Sequence, residues 1–279
     1  MAESHALKSK ELYPGVFSRH ALDYNRRLEQ VMARGEARGR LRVLELVDAQ
    51  PGMRILDLAC GPGTLTRRLA ARVSPRGEVV GVDLAAGMIE LAQSVATPNA
   101  RFEVMDIERL SFPDASFDAA ACGHGLQFAP HLVVALGEAR RVLRTAALLA
   151  ASVPIDATVD RVWSLVDEVV NRWLGPPPQA GDQQSTRDVV ADPHQLGQAA
   201  LDAGFASARV ELIEDRVSWR SAEQFVSQLA GWWVCASRME GIDGDRRHGF
   251  MEEATDTIRR VYPGKFDTTG RNHVLVATA

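Results

Sequence analysis

Short apolar runs alternate with amphipathic stretches through the first half of this chain, and the alternation predicts its elements. Strands are expected at 53–59, 78–83, 101–105, 116–122 and 146–153. Between them, apolar positions such as Leu65, Leu69 and Val73 recur at helical spacing, giving helices at about 63–74, 85–96 and 130–144. Apolar strands alternating with amphipathic helices predict a parallel sheet covered on both faces. Right-handed crossovers then make it doubly wound, with ligands held at the carboxyl ends of the strands. Residues 16–48 carry an earlier helical pattern that stops at Pro51-Gly52. Its arginines, Arg26, Arg27, Arg34, Arg38, Arg40 and Arg42, read as a solvated helix face, with contact to an acidic ligand as the competing role. Beyond residue 155 the pattern loosens. A helix is expected over Asp160 to Leu174, a turn-rich loop over 175–185 and a helix near 193–203. A strand follows at 208–214, then helices at about 221–239 and 245–261, and a last strand at 273–278.

The segment Ile55-Leu-Asp-Leu-Ala-Cys-Gly-Pro-Gly-Thr-Leu-Thr66 carries the chemistry. A buried strand breaks through Gly61 and Gly63 into a helix, which leaves free backbone N–H groups and a positive helix end facing a crevice. The dinucleotide fingerprint G-x-G-x-x-G places a third glycine where this chain has Thr66. Asp83 ends the second strand, where a carboxylate can accept both hydroxyls of a ribose. Asp106 ends the third, placed to accept the exocyclic amine of an adenine flanked by Ile107 and Met88.

Composition bounds the class. At 279 residues, with 46% hydrophobic and 24% charged positions, the chain reads as one sizeable α/β domain with insertions, or at most two small domains. A formal net charge of −4 offers no general basic surface to a nucleic acid. No signal peptide and no apolar run of about 18 residues is visible, so a cytoplasmic protein without membrane contact is expected. Cys60, Cys122 and Cys235 read as reduced thiols, and no spacing suggests a metal ligand set.

The motifs ILDLACGPG, GVDLAAGMIELA, the F-x-V-x-D of the third strand and LSFPDASFDAAACGHGLQF, followed by ALGEARRVLR, resemble the class I S-adenosylmethionine-dependent methyltransferases. The resemblance is to the ubiquinone/menaquinone-biosynthesis-like (methyltransferase type 11) group and covers roughly residues 17–153. It implies an α/β, Rossmann-like sheet of seven strands in the order 3-2-1-4-5-7-6, the last antiparallel, with helical cap and lid insertions. Residues 1–279 then form a single methyltransferase domain: an N-terminal helical cap (1–50), a cofactor-binding core (51–155), and substrate-lid insertions with the final strands (156–279). The implied cofactor is S-adenosyl-L-methionine, released as S-adenosyl-L-homocysteine. The implied cofactor-binding positions are Tyr24, Asp57, Ala59, Gly61, Gly63, Asp83, Leu84, Met88, Asp106, Ile107 and Cys122. One departure stands out. Arg144-Thr-Ala-Ala-Leu148 replaces the family's proline-glycine-glycine turn, so altered loop shape or stability is expected there.

Methyl transfer from a sulfonium is an in-line displacement, which asks the protein to align the reactants and exclude water. An oxygen acceptor also has a proton to lose, and histidine is the commonest general base. His124, after the fourth strand, is the first candidate and His131 the second, with Gln127 placed to orient the acceptor. Cys60 and Cys122 end neighbouring strands, so their thiols are expected close together, as small buried side chains beside the cofactor. Tyr13, Phe17, Phe128, Trp163, Trp232 and Trp233 are the candidates to wall an apolar acceptor pocket, with packing of the insertions as the competing role. The leading expectation is O-methylation of a small apolar or aromatic metabolite in secondary, antibiotic or cofactor metabolism, by a monomer or homodimer without nucleic-acid partners. A C- or N-methyltransferase and a cofactor-binding protein catalysing a non-methylating reaction such as cyclisation stay open.

Overall fold

Successive residues of β1 (Arg54–Leu58) are buried on both sides, which places this strand at the centre of the molecule: Ile55 and Leu56 are fully buried and enter opposite cores. The structure is a computed structural model that describes residues 8–155, 160–177, 180–182 and 184–279, and the side chains of residues 184, 185 and 233 lie outside the description. β1 pairs in parallel with β2 (Glu78–Asp83) and β4 (Phe117–Gly123), β2 with β3 (Ala100–Val104), and β4 with β5 (Leu143–Ile155). β7 (Phe266–Thr278) runs antiparallel to both β5 and β6 (Ser207–Trp219). The resulting order, β3-β2-β1-β4-β5-β7-β6, is the expected one.

Helices cover both faces. α3 (Arg38–Leu46) and α4 (Thr64–Val73), with part of α2 (Ala21–Ala33), bury their apolar stripes against Ile55, Val79, Ala121 and Val274. On the other face α6 (Leu132–Val142), α8 (Gln184–Ala191) and α9 (Pro193–Asp202) pack on Leu56, Val80, Phe117 and Leu149. α5 (Ala86–Gln93) closes the β2–β3 edge, and α1 (Ser9–Arg19) and α2 lean on it through Ala21, Ala85 and Met88. The remaining helices, α7 (Arg161–Leu174), α10 (Ala222–Ala230), α11 (Trp233–Arg238) and α12 (Gly244–Val261), form a third body. It carries its own apolar core of Val166, Val170, Phe225, Val226 and Phe250, sealed by Trp219 and Phe266 from the far ends of β6 and β7.

Several expectations need adjusting. The N-terminal pattern is three helices, the first starting at Ser9, ahead of the predicted 16. The expected helix 221–239 breaks at Gly231-Trp232, where Trp232 takes an extended conformation (φ −71°, ψ 138°). The loop expected over 175–185 gives way to α8 at Gln184, and its residues 178, 179 and 183 lie outside the described residues. β6 and β7 are each 13 residues long, about twice the expected runs. β6 alternates exposed and half-buried residues as an edge strand, so its polar positions hid its length. Cys60 packs with Ile89, Ala92 and Phe102, while Cys122 belongs to the core beneath α6, so the structure does not place the two thiols in one cluster.

At the departure, which falls within the first residues of β5, the ladder with β4 is interrupted between Phe117 and Ala119. Ala146 there takes the left-handed region (φ 63°) and donates its N–H to the C-terminal Ala279 carbonyl at 2.9 Å, while Arg144 pairs with Asp118. An alanine thus does what a glycine does without strain.

Candidate functional site

The carboxyl ends of β1, β2, β3 and β4 open into a solvent-connected cleft. Its floor is the glycine turn. Gly63 heads α4 with φ 82°, and a Cβ on it would lie 2.7 Å from the Phe102 ring, so both conformation and space require glycine. Ala59 and His124 follow β1 and β4 in the same left-handed region (φ 52° and 65°). Non-glycine residues held this way store strain of order 1–3 kcal/mol, and both line the cleft.

Asp57, in β1, is 1% exposed, and the Thr66 hydroxyl of α4 donates to its Oδ2 at 2.6 Å. Burial pushes its carboxyl up to about 7, against the pull of Thr66 and with a push from Asp83. Among the described residues it has no cationic partner. Asp83 accepts the Gly61 N–H at 2.8 Å and the Ala85 N–H at 2.9 Å, so it ties the glycine turn to the turn after β2. Burial raises its pKa as well, and the amides that bond it work against the rise. Asp106 accepts the Glu108 N–H at 2.9 Å and meets Lys10 of α1 at 2.6 Å. Lys10 also reaches Glu108 at 2.6 Å, so the first helix is strapped across the β3 side of the cleft. Ser9 adds a second tie, its N–H and hydroxyl both on Asp182.

On the β4 side, His124 lies under α3. Burial, and then the Arg40 cation, push its pKa well below the ordinary value, while a hydrogen bond to the Asn272 side chain pulls the other way. The imidazole is therefore neutral, and its Nε2 is buried without a hydrogen bond. Such an orphaned group costs about 1–3 kcal/mol unless a ligand meets it. Arg40 also lines the cleft, with the Tyr24 hydroxyl at 3.2 Å and no carboxylate partner among the described residues.

Most positions singled out from the sequence converge here: Tyr13, Phe17, Tyr24, Asp57, Ala59, Gly61, Asp83, Leu84, Met88, Asp106, Ile107, His124 and Phe128 all line the cleft. Phe128 sits 5.0 Å from the Tyr13 ring and 5.2 Å from Phe17, forming an aromatic wall. Gly63 stands behind the wall as the α4 cap, and Cys122 is fully buried beneath it, its thiol pushed up to about 12 by burial. Gln127 donates to the His124 carbonyl and does not line the cleft. His131 is not brought in either. Its ring is mostly exposed and bonds Glu108 at 3.0 Å. Trp163 and Trp232 stack on each other, centroids 4.8 Å apart, in the helical third body and away from the cleft wall. Arg27 covers the Trp232 face at 4.1 Å and is lowered to about 9 by burial, so it is not the solvated cation expected. The Trp233 side chain lies outside the described residues. Sequence reading did not single out Lys10, Thr64 and Glu108: Thr64 lies inside the quoted glycine-turn segment, while Lys10 and Glu108 come from α1 and the turn after β3; Arg40 stood only in the arginine-rich pattern of 16–48.

Among the described residues no three His, Cys, Asp or Glu side chains converge as a metal site, and no helix is long and apolar enough to cross a membrane.

Comparison with known proteins agrees with this geometry. Residues 55–146 match the family model described as a methyltransferase domain. A demethylmenaquinone methyltransferase of Staphylococcus aureus is 33% identical over 146 residues, 52% of this chain and 60% of that one. An uncharacterized 37.1 kDa protein in transposon TN4556 of Streptomyces fradiae is 35% identical over 211 residues, 74% of this chain and 59% of that one. The chain thus spans about three fifths of the length of these curated relatives. Among solved structures, a candidate methyltransferase from an antibiotic biosynthesis pathway of Anabaena variabilis superposes with a TM-score of 0.61 at 18% identity, covering 88% of this chain and all of that one. That likeness is one of fold.

Proposed function

The chain belongs to the class I S-adenosylmethionine-dependent methyltransferases, and from that premise we propose that it methylates a small, largely apolar or aromatic acceptor at oxygen. The observation that carries the reading is the neutral His124 imidazole, its Nε2 buried and unbonded, in the lining of a cleft that also carries the Tyr13, Phe17 and Phe128 rings.

The residues fit the cofactor. Asp57, a buried carboxylate without a cation, suits the ammonium of the amino-acid end, and Arg40, a cleft cation without a carboxylate, suits its carboxylate. Asp83 is placed to take the ribose hydroxyls through the lone pairs its two amide bonds leave free. Asp106 takes the adenine amine, with Ile107 and Met88 on the ring faces. When bound, S-adenosylmethionine supplies a methyl group on a sulfonium centre. Tyr13, Phe17 and Phe128 hold the acceptor and keep water out. His124 accepts the acceptor's hydroxyl proton at Nε2, for which it must be neutral beforehand, as its burial ensures.

The test is release of S-adenosylhomocysteine from the full chain with phenol, catechol and quinol acceptors, in the native protein and in His124→Ala. A base of this kind contributes about 10²–10⁴-fold to turnover. A variant that turns over near normally with the cofactor bound removes His124 from the chemistry. Absence of turnover by the native chain across the panel counts against oxygen as the acceptor atom.

A further inference from the structure

Outside the cleft lining, one group of side chains carries a charge and donors that nothing in the fold uses. The Arg27 guanidinium of α2 lies 4.1 Å over the Trp232 ring, and Trp232 stacks in turn on Trp163 at 4.8 Å and 11°. Arg27 Nε, Trp232 Nε1 and Trp163 Nε1 are all buried without a hydrogen bond. Each is a donor only, so none can satisfy another, and buried donors are ordinarily paired. Among the described residues Arg27 has no carboxylate partner. Burial lowers its guanidinium to about 9, which leaves it a cation at neutral pH. Three unmet donors and one uncompensated positive charge in a single stack ask for an anion.

The stack stands at the seam between α2 and the helical body. α2 is tied to that body near its start by His20 and Glu240, at 2.6 Å, and near its end by Gln30 and Gln228, at 3.0 Å. One turn before Arg27 on the same helix, Tyr24 lines the cleft and meets the Phe17 ring edge-on at 5.8 Å. Residues three apart share a helix face. The aromatic wall formed by Phe128, Phe17 and Tyr24 therefore leads along α2 to Arg27. Arg27, Trp163 and Trp232 are each half-buried, so the stack is not sealed from solvent.

We propose that Arg27, Trp232 and Trp163 form a subsite for a carboxylate carried by the methyl acceptor, at the end remote from the methylated atom. One cation matches one negative charge, and a carboxylate accepts from several donors at once while lying flat against a guanidinium. The proposal rests on the reading of the aromatic wall as the acceptor's bed, and it narrows that acceptor to an aryl or conjugated acid.

The experiment is calorimetric titration of the full chain, saturated with S-adenosylhomocysteine, with 4-hydroxybenzoate, 4-hydroxycinnamate and their neutral amides. At least one acid is expected to bind tenfold or more tighter than its amide, the range of a hydrogen bond to a charged group. Arg27→Met, which keeps an apolar stem on Trp232, reduces that ratio to about threefold or less and leaves the amide and S-adenosylhomocysteine affinities within about threefold. Trp232→Phe, which keeps the stack and removes one donor, lowers the ratio by about threefold or more. No preference for either acid in the native chain, or an undiminished preference in both variants, overturns the proposal. So does acetate binding as tightly as the aryl acids, which makes the stack a site for free anions. Failure of the oxygen-methylation reading shows separately, as acids that bind with this preference and release no S-adenosylhomocysteine when the donor is S-adenosylmethionine.

Discussion

Replacing Asp57 by asparagine should remove a pH dependence from cofactor binding and make the ligand-free protein more stable at alkaline pH. Asp57 is buried, its carboxyl is pushed up to about 7, and the cation it suits arrives only with the ligand. If binding needs the carboxylate, each pH unit below 7 costs about tenfold, so the apparent Kd for S-adenosylhomocysteine should rise roughly 50-fold from pH 7 to pH 5. At pH 6 complex formation should release about 0.9 proton from this group. Asp57→Asn keeps the acceptor for Thr66 and should bind with a flat profile, weaker at pH 7 by about 1.5–3 kcal/mol for the lost charged hydrogen bond. Stability moves in the opposite sense. A carboxyl whose folded pKa lies above its unfolded value gives stability that is present below about pH 4 and lost as the pH rises through 7. The shift from 3.8 to about 7 corresponds to roughly 4 kcal/mol. The variant should therefore melt with the native chain at pH 4 and above it at pH 8. Calorimetric titration in buffers of different ionisation enthalpy reads the proton count, and scanning calorimetry reads the melting. A native Kd flat between pH 5 and 7, or a variant with the same slope, refutes the reasoning.

Three other perturbations follow from the same geometry. Lys10→Met frees Asp106 from a half-exposed ion pair worth at most about 1 kcal/mol, so the Kd for S-adenosylhomocysteine should fall by up to about fivefold in calorimetric titration; a weaker complex refutes competition between Lys10 and the ligand. Ala146→Gly relieves a left-handed alanine and loses some chain entropy, for a net gain near 0.5–1 kcal/mol and a melting point about 1–4 °C higher. An unchanged or lower melting point counts against strain at that turn. Thr66→Val removes the one side-chain donor on Asp57 among the described residues, and equilibrium denaturation at pH 8 should show a loss of about 1–3 kcal/mol that largely disappears at pH 4.

The sheet and the donor half of the cleft were legible because their determinants are local. Ile55 to Thr66 carries a strand, a turn and a helix start within one window, and Asp83 and Asp106 sit at strand ends whose order the crossovers dictate. The rest depends on residues far apart in sequence. Lys10 meets Asp106 across the cleft mouth, and Arg40 reaches the cleft only because α3 packs on β4 and β5. No periodicity marks such residues. The tryptophans left two roles open because a large ring on an insertion helix suits a pocket wall and a core equally well. Here Trp163 and Trp232 are stacked inside the insertion body, while the smaller Tyr13, Phe17 and Phe128 face the cleft.

The separate core of α7, α10, α11 and α12 has an evolutionary consequence. A helical body whose interior is filled by its own side chains can accumulate substitutions without loosening the strands that carry Asp57, Asp83 and Asp106. The lining of the cleft lies wholly between Ser9 and Pro130, so this body can diverge in sequence while both the donor and the aromatic sides of the cleft stay constrained.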